Sequence, residues 1–179
     1  MERRSRLVVA GLLVAFVFGG ASIGVALTQR IDQAAEVGRV ARRIGSPPET
    51  LTPDQRTARD LAATVNVARQ QLGLPALMWH DQVGEAAVVH ARDMANRLVM
   101  EHLGSDGSDA GVRLTAAGFA WIRWGEALAV GYRDIGVLVD AWLASPSHRP
   151  YLVGDYRLVG TAVATGADGR PYWVLVVAT

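Results

Sequence analysis

From Leu7 to Thr28 the chain carries no charged residue, a run of Leu, Val, Ala and Phe that follows Arg3, Arg4 and Arg6 and ends before Arg30. About 20 apolar residues are enough to cross the hydrocarbon layer of a bilayer. This stretch is therefore set apart from any globular fold, and the rest of the chain must fold without it. Arginines ahead of such a span stay cytoplasmic, so whatever follows it faces outside. The expectation is a single-pass anchor in the cell membrane with the C-terminal domain outside. The alternative is a cleaved signal peptide and a secreted product, with Gly24 and Ala26 as small residues near a cut; the run is longer than an ordinary signal core, which favours the anchor. The chain has no cysteine, so lipoprotein processing, disulfides and thiolate metal centres are all excluded.

Gln29 to Leu51 reads as a connector. Ile31, Ala34, Ala35, Val37, Val40, Ala41 and Ile44 recur at roughly helical spacing with Arg39, Arg42 and Arg43 among them. Such a pattern suits a juxtamembrane stalk; a short helix lying on anionic headgroups is the alternative. Gly45, Pro47 and Pro48 end any helix there. The chain thus divides into residues 1–28 (anchor or signal), 29–51 (linker) and 52–179 (one domain). With 179 residues, half of them apolar, it can build one sizeable core and no second. The net charge is +1, all 18 basic residues are Arg, and no basic run interleaved with aromatics follows the extreme amino terminus. The electrostatic footprint of a nucleic-acid binder is missing, and a monomer is expected.

The domain opens on a capping box, with Thr52 as N-cap, Pro53 at the first helical position and Gln55 three residues after the cap. Leu61, Val65, Ala68 and Leu72 repeat on one face until Gly73 and Pro75 stop the helix. A second helix is expected from Asp81 to about Val99, presenting Val83, Ala87, His90, Met94 and Leu98 inward. His90 on that stripe reads as a core histidine. The loop from Glu101 to Gly111 is rich in Gly, Ser and acidic residues, which form tight turns by capping backbone amides. A calcium loop is the sharper alternative, but the carboxylate spacing is not that of an EF-hand, and Arg113 is expected to pair with one of these carboxylates. Strands are expected at Ala120 to Ala129, Leu158 to Thr165 and Tyr172 to Thr179, the last two joined by a hairpin at Gly166 to Arg170. A helix from Asp134 to Ser145, with Ile135, Leu138, Val139 and Trp142 as its apolar face, lies between the first two, and Pro146 leaves His148 on a turn. These elements predict an α+β fold, an α-β-α three-layer sandwich with a small central antiparallel sheet.

The candidate site is His102, Glu126 and His148, in the strings HLGSDGS (102–108), WGEAL (124–128) and SPSHR (145–149). Neutral imidazole is a good transition-metal ligand and a carboxylate supplies compensating charge. The same trio can work as general acid and base, because histidine titrates near neutral pH. The spacing is no local metal motif, and HExxH does not occur. Trp124, two residues before Glu126, points to the same face of a strand, which makes it the candidate ring lining a cleft.

These strings, with VNVARQQLGLPALMWH (65–80), HARDMA (90–95), WGEALAVGY (124–132), VDAWLASPSHR (139–149), VGTAVA (159–164) and YWVLVVA (172–178), resemble in order a CAP-superfamily domain, also called SCP/PR-1-like, in its short bacterial form. The resemblance covers about residues 55 to 179 and implies the α-β-α fold. It also implies that His102, Glu126 and His148 occupy three corners of the family's cleft of two His and two Glu, with Ser145 at the fourth. Two departures accompany it: Ala127 stands where the family has an amide beside the glutamate, and Leu158 where an acidic residue is usual.

Three functions follow as expectations. The first is an extracytoplasmic, membrane-tethered domain that binds a lipid-like or cell-envelope ligand without chemistry of its own, since the resemblance implies lipid and sterol binding among relatives. The second is a Zn-dependent hydrolase with His102, Glu126 and His148 as ligands and a position left for water. The third is a serine hydrolase using Ser145 or Ser147 with His148.

Overall fold

In the computed structural model, which describes residues 50–179, the first helix, α1 (Pro53–Gln71), begins where the capping signal places it. The Thr52 hydroxyl accepts from the Gln55 N–H at 3.2 Å, and the Gln55 side chain accepts from the Thr52 N–H at 2.8 Å. Two of the orphan donors of the first turn are thereby satisfied. Gly73, at φ +70°, turns the chain out of the helix. Asn66 then clasps both backbone groups of Leu77, at 2.9 and 2.8 Å, so the chain leaves α1 straight into a two-residue strand, β1 (Met78–Trp79).

The remaining elements are α2 (Asp81–Arg97), α3 (Ala110–Ala116), β2 (Trp124–Val130), α4 (Ile135–Ala144), α5 (Arg149–Val153), β3 (Leu158–Thr165) and β4 (Pro171–Ala178). The four strands form one sheet in the order β1-β3-β4-β2. β4 pairs antiparallel with both β2 and β3, whereas β1 runs parallel to β3. The sheet is therefore mixed, not the antiparallel one expected. Two residues offer no alternation to detect, and β1 is recognised only by its bonds, Met78 N–H to Arg157 O at 2.8 Å and His80 N–H to Val159 O at 3.0 Å.

Alternation along the longer strands sends successive side chains to opposite faces, and each face meets helices. Trp173, Leu175 and Val177 of β4 join Leu61 and Val65 of α1, Leu138 and Trp142 of α4 and Leu152 of α5 in one apolar cluster. Tyr172, Val174, Val176 and Ala178 join Val83, Ala87, Ala91 and Met94 of α2 and Leu114 of α3 in the other. Alanines along α2 let it lie close to the sheet. At Gly160 of β3 a Cβ would stand 2.2 Å from the Gly84 nitrogen, so this crossing admits only glycine.

Two boundaries differ from expectation by more than one residue, and two short helices are added. α2 stops at Arg97, and Leu98 takes a left-handed conformation at φ 58° as its C-cap, 40% exposed instead of inward. β2 starts at Trp124, not Ala120, although Ile122 N–H and Thr179 N–H still tie the preceding segment to the end of β4. α3 and α5, of seven and five residues, are too short to show helical periodicity. The expected anchor at residues 7–28 and the connector up to residue 49 lie outside the described residues. No helix among those described is long and apolar enough to cross a membrane.

Arg69 of α1 is 2% exposed, and its guanidinium donates to the carbonyls of Pro75 at 2.9 Å, Leu152 at 2.7 Å and Gly154 at 3.0 Å. One cation thus fastens α1 to α5, the helix that starts after His148. Arg69→Ala leaves these acceptors without a donor and is expected to cost roughly 2–4 kcal/mol in urea unfolding. A loss below about 0.5 kcal/mol would show the clamp to be idle.

Candidate functional site

Glu126 sits in the middle of β2 and its side chain faces α2 and α3, the side of the sheet that also holds Trp124 and Leu128. That side chain is 2% exposed. A carboxylate taken out of water requires partners for both oxygens, and it has them. The guanidinium of Arg113, from α3, donates to Oε2 at 2.6 Å. Nδ1–H of His102 donates to Oε1 at 2.8 Å. Nε2 of His90, from α2, lies 3.9 Å from Oε1 and donates to the Glu101 carbonyl at 2.9 Å.

Arg113 is itself buried and does not pair with a loop carboxylate, as had been expected. Its other bonds go to the carbonyls of Ser108 at 2.6 Å and His102 at 3.3 Å. The pairing with Glu126 joins two elements 13 residues apart, a relation that no local spacing encodes. The acidic residues of the loop are occupied elsewhere. Asp93 of α2 accepts from the Ser105 N–H at 3.1 Å and from Arg97 at 2.8 Å, Asp106 accepts from the Ser108 N–H at 2.9 Å, and Asp109 caps α3 through the Val112 N–H at 2.8 Å. Arg97 also pairs with Glu101. Asp106 and Asp109 cap backbone amides, as the turn reading expects, and the loop so fixed carries His102.

His148 approaches from another segment. α4 ends at Ala144, Ser145 is its C-cap, and His148 is the residue before α5. His148 Nδ1 lies 2.9 Å from Ser145 Oγ, which lies 3.0 Å from Ser147 Oγ. The two histidines are pushed in opposite directions. The hydrogen bond to Glu126 raises the His102 imidazole above its ordinary value, against a smaller effect of burial. Burial lowers His148, and the positive charge of His102 lowers it further. Burial also lowers His90.

The four expected residues thus form two bonded pairs, His102 with Glu126 and Ser145 with His148. Among the described residues no group of three His, Cys, Asp or Glu side chains is arranged to hold a metal ion; both Glu126 oxygens are already engaged. Trp124 is half-buried against the α2/α3 cluster, edge-on to Trp121 with centroids 6.3 Å apart. Gly111 of α3 passes beneath it, where a Cβ would stand 2.5 Å from Trp124 Nε1. Sequence reasoning assigned Arg113 the wrong carboxylate and missed the contact of His90 with Glu126. His90 Nδ1 and Arg113 Nε are buried without a hydrogen-bond partner among the described residues.

Residues 62–177 match the sequence profile of the CAP family, described as the cysteine-rich secretory protein family. The chain belongs to the CAP family. It does so without a single cysteine. The membrane protein YlbC of Bacillus subtilis is 31% identical over 99 residues, covering 55% of this chain and 29% of that relative, so this CAP chain spans well under half of the relative's length. Among solved structures, an outer surface protein of Borrelia burgdorferi has a TM-score of 0.62 at 23% identity, covering 68% of this chain and 90% of that one. An extracellular SCP-domain protein of Bacillus anthracis has a TM-score of 0.62 at 24% identity, covering 74% and 45%. At these identities the solved structures establish the CAP fold alone.

The histidine shifts set the pH behaviour. A raised histidine contributes stability that is complete below its unfolded value of about 6.5 and is lost as pH rises through the folded value. A lowered one contributes stability that is complete above that value and lost as pH falls below it. In an NMR titration His102 is expected to titrate above about 6.5 and His148 below it. Glu126→Gln should bring His102 down toward the ordinary value, and His102→Ala should remove the loss of stability on its alkaline side. Coincident titration of the two rings would contradict the geometry.

Proposed function

We propose that this CAP domain is an extracytoplasmic, membrane-tethered binding module that takes a lipid-like or cell-envelope ligand by its polar end. The reading rests on one observation: both oxygens of Glu126 are committed, to Arg113 and to His102, so the carboxylate orients an imidazole and does not itself react. His102 is bonded through Nδ1 and keeps Nε2 for a ligand; its side chain is 60% exposed. Its raised pKa favours the cation, a partner for an anionic or strongly polar headgroup, with Ser145 and His148 as further donors and acceptors. Apolar side chains stand exposed on the neighbouring segments, Leu103 beside His102, Val112 on α3, and Trp121 and Ile122 before β2, as an amphipathic ligand requires. The relationship to a membrane protein and the surface or extracellular origin of the two similar structures support a location outside the cytoplasm.

Native mass spectrometry of the full-length protein, purified in mild detergent from its own cell envelope, is expected to show a copurifying ligand. Its occupancy should fall at least about tenfold, or 1.4 kcal/mol, in His102→Ala and in Trp124→Ala. Empty protein from several envelope preparations would contradict the reading.

A second reading, Zn-dependent hydrolysis, is favoured by the His102–Glu126 bond, because a carboxylate behind a histidine fixes its tautomer and leaves the other nitrogen for a metal. His102 and His148 would supply two ligands, and since no third His, Cys, Asp or Glu among the described residues completes the set, the remaining positions would fall to water, toward which Zn would supply Lewis acidity, with Glu126 supporting His102 from behind. Calorimetry at neutral pH should then show stoichiometric Zn uptake that is lost in the double substitution His102→Ala with His148→Ala. No heat of binding would remove this reading.

A further inference from the structure

Pro146 separates two serines at the end of α4; the Ser145 hydroxyl meets the His148 imidazole, and the Ser147 hydroxyl meets that of Ser145. Ser147 Oγ lies 3.0 Å from Ser145 Oγ, and Ser145 Oγ lies 2.9 Å from His148 Nδ1. Ser and His near helix ends ordinarily cap backbone groups, but capping does not account for these three. The Ser145 N–H is already bonded to the Trp142 carbonyl, and the Ser145 carbonyl accepts from the N–H groups of His148 and Arg149. His148 makes no side-chain cap to α5. The three polar side chains are bonded to one another in a chain that starts at an exposed serine and ends at a half-buried ring.

We infer that Ser147 is a nucleophile for acyl transfer from an ester, activated through Ser145 by His148. Ser147 Oγ attacks the ester carbonyl while its proton passes to Ser145 Oγ and the Ser145 proton passes to His148 Nδ1. The carbon–oxygen bond to the alcohol then breaks, the alcohol leaves with the proton from the imidazolium, and the acyl group remains on Ser147. Water, deprotonated along the same path, releases the acid and restores the serine. The arrangement has the elements of an activated nucleophile, a hydroxyl and a base within hydrogen-bond reach, here with one hydroxyl between them. Arg149 folds back so that its guanidinium donates to the Leu143 carbonyl at 3.3 Å. A cation therefore stands at the same helix end.

This activity goes beyond ligand binding and uses neither Glu126 nor His102. A fluorophosphonate probe tests it directly: Ser147 Oγ bonds to phosphorus, fluoride leaves, and the proton travels to His148. Incubated with the folded full-length protein in detergent, the probe is expected on Ser147 in peptide mass spectrometry. Ser147→Ala should abolish labelling, and Ser145→Ala and His148→Gln should each slow it at least about tenfold. A second change, His148→Asn, keeps the test open if one variant fails to fold, as judged by thermal unfolding. Absence of probe from Ser147 in the wild type, probe on Ser145 instead, or equal rates in a folded His148 variant would overturn the inference. Ligand copurification is measured separately, so failure of one leaves the other standing.

Discussion

A buried arginine facing a buried glutamate is the contact around which this CAP domain is arranged. Removing two charges from water costs several kcal/mol per ion unless geometry and further hydrogen bonds compensate. Here the compensation is distributed over separate pieces of chain: Arg113 reaches the carbonyls of His102 and Ser108 as well as Glu126, and Glu126 reaches His102 as well as Arg113. The pair therefore joins β2, α3 and the loop after α2. If either charge is removed, the other is left buried and that loop loses its attachment.

The same contact separates the exposed imidazole of His102 from the half-buried one of His148 chemically. His102 is bonded to the Glu126 carboxylate and is raised; His148 has only a serine hydroxyl and burial, and is lowered further by the charge of His102. The domain thus carries one cation-prone ring and one ring whose burial disfavours the cation. The sheet provides the rigidity, since Glu126 lies opposite Val176 in the β2/β4 register and cannot move without disturbing the core.

Much of this was readable from local chemistry. Thr52, Pro53 and Gln55 announced α1, the run from Tyr172 showed its alternation, and the Gly and Asp residues of the loop after α2 declared tight turns. The family strings placed His102, Glu126 and His148 in order. What was hidden is tertiary: the partner of Arg113 is set by how α3 lies on the sheet, so its own loop carboxylates were the nearer and mistaken choice. β1 has two residues and no period, α5 has five, and Leu98 leaves the helix through a left-handed cap that a leucine rarely takes. His90 was legible as buried, but its closeness to Glu126 depends on the packing of α2 against β3.

A double-mutant cycle on Arg113 and Glu126 tests the central contact most directly. Arg113→Met and Glu126→Gln should each destabilise the protein by about 3–5 kcal/mol, and the double variant should be more stable than either single one, because no charge is then left unpaired. Losses that simply add, with a coupling below about 0.5 kcal/mol, would mean that the two charges do not depend on each other and that the site is organised by something else.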